Sequence, residues 1–277
     1  DVQFVFTANP EDYTNRGSIV TPLKDRIDSQ IITHYPKSIE IGKKITQQEA
    51  QLEPEQQRVQ SFELAKDLVE QIAFEARESE YVDAKSGVSA RLTISAYENL
   101  ISAAERRMFK NGAEKTTVRV ADFVGVIPAI TGKVELVYEG EQEGPGIVAA
   151  NLISKAIRTQ FVNFFPDPEE IRKSKKRDNP YQVISEWFGK GNMVDIMLDA
   201  SDADYSSCLN SVPGLADLVN KKYKKESEAY RLFLMELALH GLAEYSVLSK
   251  HTLDEGLQFK DLISSMFNIE DQTAEDI

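Results

Sequence analysis

The pattern of apolar and polar positions changes in character after about the first fifty residues. Residues 2–7 form an unbroken β-branched and aromatic run of strand length, typical of a strand covered on both faces of a sheet. Residues 29–35 have a similar composition and end at Pro36. Ser38 then caps an amphipathic helix reaching about residue 51, and the later periodicities are helical. The pattern predicts a mainly α fold that begins with one or two strands left from an α/β core.

Most of the remaining chain is predicted to be helical. Residues 54–81 carry apolar side chains at spacings of three and four, which indicates one long helix or a broken pair. Ser95 and Glu98 form a capping box that predicts a helix through residue 109. A helix over 120–136 is expected to bend or to start at Pro128. Further helices are predicted over 147–165, 181–188, 202–210, 214–221, 226–248 and 259–266.

An acidic, glycine-rich stretch at residues 139–146 is interpreted as a linker. The predicted organisation is therefore the end of an α/β core (1–53), a helical layer (54–138), this linker, a C-terminal helical domain (147–269) and an acidic tail (270–277).

Charge and cysteine content narrow the classes of function. The 277-residue chain has a net charge of -13, which argues against broad nucleic-acid binding and against attraction to anionic membranes. Cys208 is the single cysteine, so the chain cannot form an internal disulfide, and a reducing cytoplasm is the expected location. No apolar run approaches the length of a membrane span, so no membrane insertion is expected, and the three scattered histidines predict no metal site.

Two short segments carry the chemistry. Asn9 follows the first predicted strand, at the edge where open α/β sheets bind their ligands, and residues 21–27, Thr-Pro-Leu-Lys-Asp-Arg-Ile, come soon after. Residues 87–91 read Gly-Val-Ser-Ala-Arg and precede a predicted helix. Together these segments resemble the magnesium chelatase and MoxR branch of the AAA+ ATPases, and the resemblance covers about residues 1–138.

The resemblance implies a role for each matching residue. Asn9 corresponds to sensor 1, which orients the water that attacks the γ-phosphate of ATP. Arg26 corresponds to the arginine finger that reaches the neighbouring subunit's nucleotide, although Ile27 stands where phenylalanine is usual and Arg16 is a rival. Arg91 corresponds to sensor 2, which contacts the phosphates from the helical lid. ATP and Mg²⁺ in the full-length protein are implied as cofactors, with a homo-oligomeric ring, most simply a hexamer, as the assembly.

The residues that would grip the nucleotide are missing from this sequence. Residues 125–134 approach a P-loop, but the spacing is too long and Val134 replaces the magnesium-binding hydroxyl. Residues 196–199 resemble a Walker B strand, but Ala200 stands where the catalytic glutamate belongs. Both motifs are therefore expected upstream of Asp1, which makes this chain a C-terminal fragment. The fragment alone is predicted to bind no ATP and to be inactive.

Three functions remain open at this point. The first is a ring-forming ATPase that remodels a client or adaptor protein. The long C-terminal helical region favours this function, because it is not part of a standard chelatase motor. The second is the motor subunit of a magnesium chelatase, which inserts metal into a porphyrin. The third, from a different class, is a helical protein-interaction module without an ATPase role.

Overall fold

The computed structural model describes residues 2–7, 25–84, 86–174 and 179–262, and it is mainly helical with a few short strands, as the sequence predicts. The helices of the described residues are α1 (Ile39–Glu49), α2 (Glu63–Glu78), α3 (Leu92–Lys110), α4 (Ile127–Thr131), α5 (Tyr138–Glu143), α6 (Pro145–Phe164), α7 (Pro168–Ser174), α8 (Gln182–Gly189), α9 (Asp202–Asn210), α10 (Leu215–Tyr223) and α11 (Glu228–Glu244). Two 3₁₀ helices, Pro54–Arg58 and Ala121–Val126, join them. The strands are β1 (Val59–Gln60), β2 (Thr116–Thr117), β3 (Val194–Met197), β4 (Leu248–Leu253) and β5 (Gly256–Asp261).

The two predicted N-terminal strands do not form. Residues 2–7 and 29–35 have no strand pairing, and their apolar side chains are exposed; Phe4 is 76% and Ile31 90% accessible. A strand needs hydrogen-bonded neighbours for its backbone groups, and no described strand lies beside either segment. The strand prediction is therefore wrong for this structure, and the segments are extended coil.

Local capping chemistry sets several helix starts. The Ser38 side chain accepts a hydrogen bond from the Ile41 N–H, which begins α1 at the predicted place. The predicted start at Ser95 is wrong, because α3 begins at Leu92 and Leu92 is fully buried. Glu98 consequently does not cap its own helix; its carboxylate accepts a hydrogen bond from the Gln51 N–H at 2.9 Å.

The predicted helix over 120–136 is not continuous in the structure. It is divided into the 3₁₀ helix Ala121–Val126 and α4, with Pro128 in the first turn of α4, where its missing N–H costs nothing. The chain then extends, so that Val134 and Leu136 form bridges to Val88 and Val82.

A small antiparallel sheet in strand order β3-β5-β4 lies near the end of the described chain. The predicted helix over 259–266 is wrong at its start, because residues 259–261 belong to β5. Leu257 and Phe259 are buried at a spacing of two, which is the periodicity of a strand covered on one face. Residues 263–277, which include the predicted acidic tail, lie outside the described residues.

The buried side chains on both sides of the predicted linker belong to one hydrophobic cluster. Residues 139–143 of that linker belong to α5, and α6 follows directly. Helix α2 packs on α6, where the Gln160 side chain donates to Gln71 at 3.0 Å. The Phe62 ring lies 5.4 Å from that of Phe233 in α11. The helical layer and the C-terminal helices thus share a core. Among the described helices, none has both the length and the apolar character needed to cross a bilayer.

Candidate functional site

The structure describes two of the four residues assigned a role by resemblance. Arg26 lies in an exposed turn, and Arg91 is exposed at the residue preceding α3. Both guanidiniums are therefore accessible to an anionic group. Asn9 and Arg16 lie outside the described residues.

Tyr35 connects the segment that carries Arg26 to the loop that carries Arg91. Its hydroxyl oxygen accepts a hydrogen bond of 2.9 Å from the backbone N–H of Val88. The guanidinium carbon of Arg77, in α2, lies 4.1 Å from the centre of the Tyr35 ring, within the range of a cation–π contact. The chain after Arg26 is thus attached to α2 and to the loop before α3 by one side chain.

Gly87 makes this attachment possible. It has φ +72°, and a Cβ atom at this position would lie 2.7 Å from the Tyr35 hydroxyl oxygen. A side chain here would therefore strain the backbone and displace Tyr35. The loop is also fixed on its other side, because Asp83 N–H donates to Glu135 O at 2.9 Å and Ser89 N–H donates to Lys133 O at 3.2 Å.

Below this loop, polar side chains link α1, α2 and α3. Glu70 is 3% exposed and accepts a 2.5 Å hydrogen bond from the Thr46 hydroxyl. The Thr46 hydroxyl lies 2.8 Å from that of Thr93, in the first turn of α3. Burial raises the pKa of Glu70 and lowers the pKa of Arg77, and the two opposite charges attract each other. The start of α3, next to Arg91, is therefore tied to the same helix that carries Arg77.

A second polar network joins α11 to residues 120 and 121. Glu236 of α11 is fully buried and accepts hydrogen bonds from Val120 N–H (2.6 Å), Ala121 N–H (2.8 Å) and the Tyr205 hydroxyl (2.7 Å). Burial raises the pKa of Glu236 to about 7, although the hydrogen bonds from Tyr205 and Val120 act to lower it. His240, one turn later, is also buried, and burial holds its pKa well below the ordinary value.

Two buried arginines lie next to the Glu236 network. The Arg107 guanidinium donates to both carboxylate oxygens of Asp122, at 3.2 and 2.9 Å, and to the Thr116 hydroxyl at 2.8 Å. Arg119 donates to Asp202 at 2.6 Å and stacks over the Tyr205 ring. Because these charges are occupied by protein partners, we assign them structural roles: Arg107 holds the segment with Thr116 and Asp122 against α3, and Arg119 joins that segment to Asp202.

Sequence reasoning did not find the Glu236 network. One signal for it was present, namely a carboxylate in the middle of the otherwise apolar run Leu232–Leu239. The contacts of Glu236 to Val120 and Ala121 span 116 and 115 positions, which no local pattern reveals.

The segments rejected as nucleotide-binding motifs have ordinary structural roles. Gly125 lies in a 3₁₀ helix, where a Cβ would be 2.7 Å from that of Ala103, and residues 196–197 belong to the edge strand β3. In the part of the chain that the structure describes, no group of three His, Cys, Asp or Glu residues is arranged to hold a metal ion.

Comparisons with protein-family models, with curated proteins and with solved structures found no match to the chain.

Proposed function

We propose that this chain is the C-terminal part of a ring-forming AAA+ ATPase of the magnesium chelatase and MoxR type. In this proposal ATP hydrolysis drives the remodelling of a partner protein. The observation that carries the proposal is the Tyr35 contact, because it attaches the segment bearing Arg26 to the loop bearing Arg91. These are the two described residues for which the family resemblance implies contact with a nucleotide.

The chemical roles follow from what phosphoryl transfer requires. The transition state needs charge neutralisation and an oriented water more than covalent help. In the proposal Asn9 orients the water and Arg26, rather than its rival Arg16, neutralises charge on the neighbouring subunit's phosphates. Arg91 contacts the phosphates from the helical side, since a planar guanidinium matches phosphate oxygens. Upstream segments supply the P-loop and the Mg²⁺ ligands.

In the proposal, the Tyr35 contact is the physical connection between Arg26 and the loop that carries Arg91. The nine residue steps from Arg26 to Tyr35 span at most about 30 Å even when fully extended. In the proposal this segment links Arg26 at a subunit boundary to Tyr35, whose contacts with the Val88 N–H and the Arg77 guanidinium attach it to the loop that carries Arg91. The nucleotide state of one subunit would in this way be coupled to the position of Arg91 in the next.

Nucleotide-dependent assembly of the full-length protein tests this function. The proposal expects ATP to convert the protein into a closed ring, measured by light scattering, and expects Arg26→Ala to weaken that assembly. Arg58→Ala is the matched control, because Arg58 is another exposed arginine for which the resemblance implies no contact with nucleotide, and it should assemble like the unmodified protein. If assembly does not depend on ATP, or if both substitutions impair it equally, the result would instead favour the interaction module without an ATPase role.

A further inference from the structure

An apolar groove with an acidic rim runs between α4, α5 and α6. Its volume is about 370 Å³. Its more accessible apolar lining consists of Val134, Leu136 and Pro145, and the nearly fully buried Ile130, Val148, Ala149 and Leu152 lie beneath them.

The position of α5 creates the groove. Val137 N–H donates to Tyr81 O at 3.0 Å, and a Cβ on Gly140 would lie 2.7 Å from the same Tyr81 oxygen. Glycine therefore lets α5 lie directly on the backbone at Tyr81. One wall is thus fixed in place, while Val148 and Leu152 of α6 form the floor.

The rim of the groove is negatively charged. Glu135 and Glu141 line it and are exposed, and α5 also carries the exposed Glu139 and Glu143 without any basic residue. The nearest basic residue in sequence is Lys133, which is half-buried. Tyr138 and Ile147, at 69% and 52% exposure, add apolar surface beside the groove. An apolar centre with a polar, charged rim is the usual anatomy of a protein-binding surface.

We propose that this groove binds a cationic amphipathic helix of a partner protein. Apolar side chains on one face of that helix would occupy the groove, and flanking lysine or arginine residues would meet Glu135 and Glu141. The negative charge at the rim argues against two other occupants of the groove. The C-terminal residues 270–277 are themselves acidic, and a second copy of the chain brings its own net charge of -13. The proposal does not depend on nucleotide, so it stands or falls separately from the ATPase function.

Fluorescence anisotropy with a defined probe tests the proposal. The probe is a fluorescein-labelled 18-residue helix of Leu, Ala and Lys with leucines at i, i+3, i+4 and i+7. The protein is expected to bind it and to reject two counterparts, one with Glu in place of Lys and one with Ser in place of Leu. Glu135→Lys with Glu141→Lys should weaken binding about tenfold, equivalent to about 1.4 kcal/mol.

The matched control is Glu139→Lys with Glu143→Lys, which makes the same change in net charge on exposed residues that do not line the groove. It should weaken binding much less. Equal weakening by the two pairs would mean that only net charge matters and would overturn the proposal. Binding of the anionic or serine counterpart would overturn it too. So would self-association in sedimentation equilibrium that only the Glu135/Glu141 pair abolishes.

Discussion

The hydroxyl oxygen of Tyr35 lies 2.9 Å from the backbone nitrogen of Val88, although 53 positions separate the two residues. This hydrogen bond is what holds the otherwise exposed segment before α1 against the helical layer at the loop preceding Arg91. The ring of the same tyrosine lies against Arg77, so two kinds of interaction converge on one side chain.

Removing only the Tyr35 hydroxyl should loosen this connection. Tyr35→Phe keeps the ring near Arg77 but leaves the Val88 N–H without its acceptor, at a cost of about 1 kcal/mol. Hydrogen exchange at the Val88 amide should become about fivefold faster, as expected for that loss of local stability. Tyr138→Phe is the control, since Tyr138 is 69% exposed and its hydroxyl contacts only Gln142 of the same helix among the hydrogen bonds described. Unchanged Val88 exchange in Tyr35→Phe would show that the contact carries no stability.

A methyl group at Gly87 should disrupt the same contact by steric means. Gly87→Ala pays the left-handed backbone cost of about 1–2 kcal/mol, and its Cβ also meets the Tyr35 hydroxyl at 2.7 Å. Gly112→Ala is the matched control, because Gly112 has φ +61° but open space around its Cβ position. Urea denaturation should therefore show that Gly87→Ala is the more damaging by about 1 kcal/mol.

Combining the two substitutions separates strain from contact. Tyr35→Phe removes the atom that the new methyl meets, so the double variant should be less destabilised than the sum of the single variants. Strict additivity would contradict the geometry.

Arg107 is expected to matter far more for stability than its sequence neighbour. Arg107→Ala leaves the Asp122 carboxylate buried without its charged partner, which should cost about 3–5 kcal/mol. Arg106 is 62% exposed and lies 3.6 Å from Asp199, so Arg106→Ala should change the free energy of unfolding by less than about 1 kcal/mol. Similar losses for both arginines, measured by chemical denaturation, would refute the structural role assigned to Arg107.

Glu236 should give the protein a measurable pH dependence. Its pKa rises from 4.5 to about 7 on folding because of burial, so the folded state binds the proton more tightly than the unfolded state. The contribution of this group is fully present below pH 4.5 and is lost as pH rises through about 7.

The stability of the unmodified protein relative to Glu236→Gln should therefore fall with rising pH in that window, by at most about 1.4 kcal/mol per unit. Glutamine does not titrate, so the difference isolates the carboxyl group from His240, whose lowered pKa acts in the opposite direction. A difference that is flat or that rises with pH would contradict the buried, proton-binding carboxyl group.

Local signals predicted the local structure well. The Ser38 cap, the helix over 202–210 and the end of α3, predicted at residue 109 and found at Lys110, lie close to where local signals placed them, because these features depend on a few adjacent residues. The composition of residues 139–146, which led to their interpretation as a linker, gave no indication that residues 139–143 are helical. The acidic residues there face solvent from a short helix, and Gly140 serves close packing rather than flexibility.

Features built from distant residues were not predictable from the sequence. The Tyr35–Val88 contact and the contacts of Glu236 depend on how helices meet in three dimensions. Residues 259–261 of β5 were assigned to a helix because the pairing of β5 with β3 and β4 involves residues up to about 65 positions away. For the candidate site, the sequence suggested Arg26 and Arg91 by resemblance but gave no indication of the tyrosine that links their segments.

Steady-state ATP hydrolysis by the full-length protein carrying Arg26→Ala is the most direct test of the central claim. If Arg26 completes a neighbouring subunit's nucleotide site, turnover should fall by about 10³–10⁵-fold while the affinity for ATP stays nearly unchanged. Arg58→Ala, the exposed control, should leave turnover intact. Retention of normal turnover by Arg26→Ala, or its loss only in Arg16→Ala, would contradict the role proposed for Arg26.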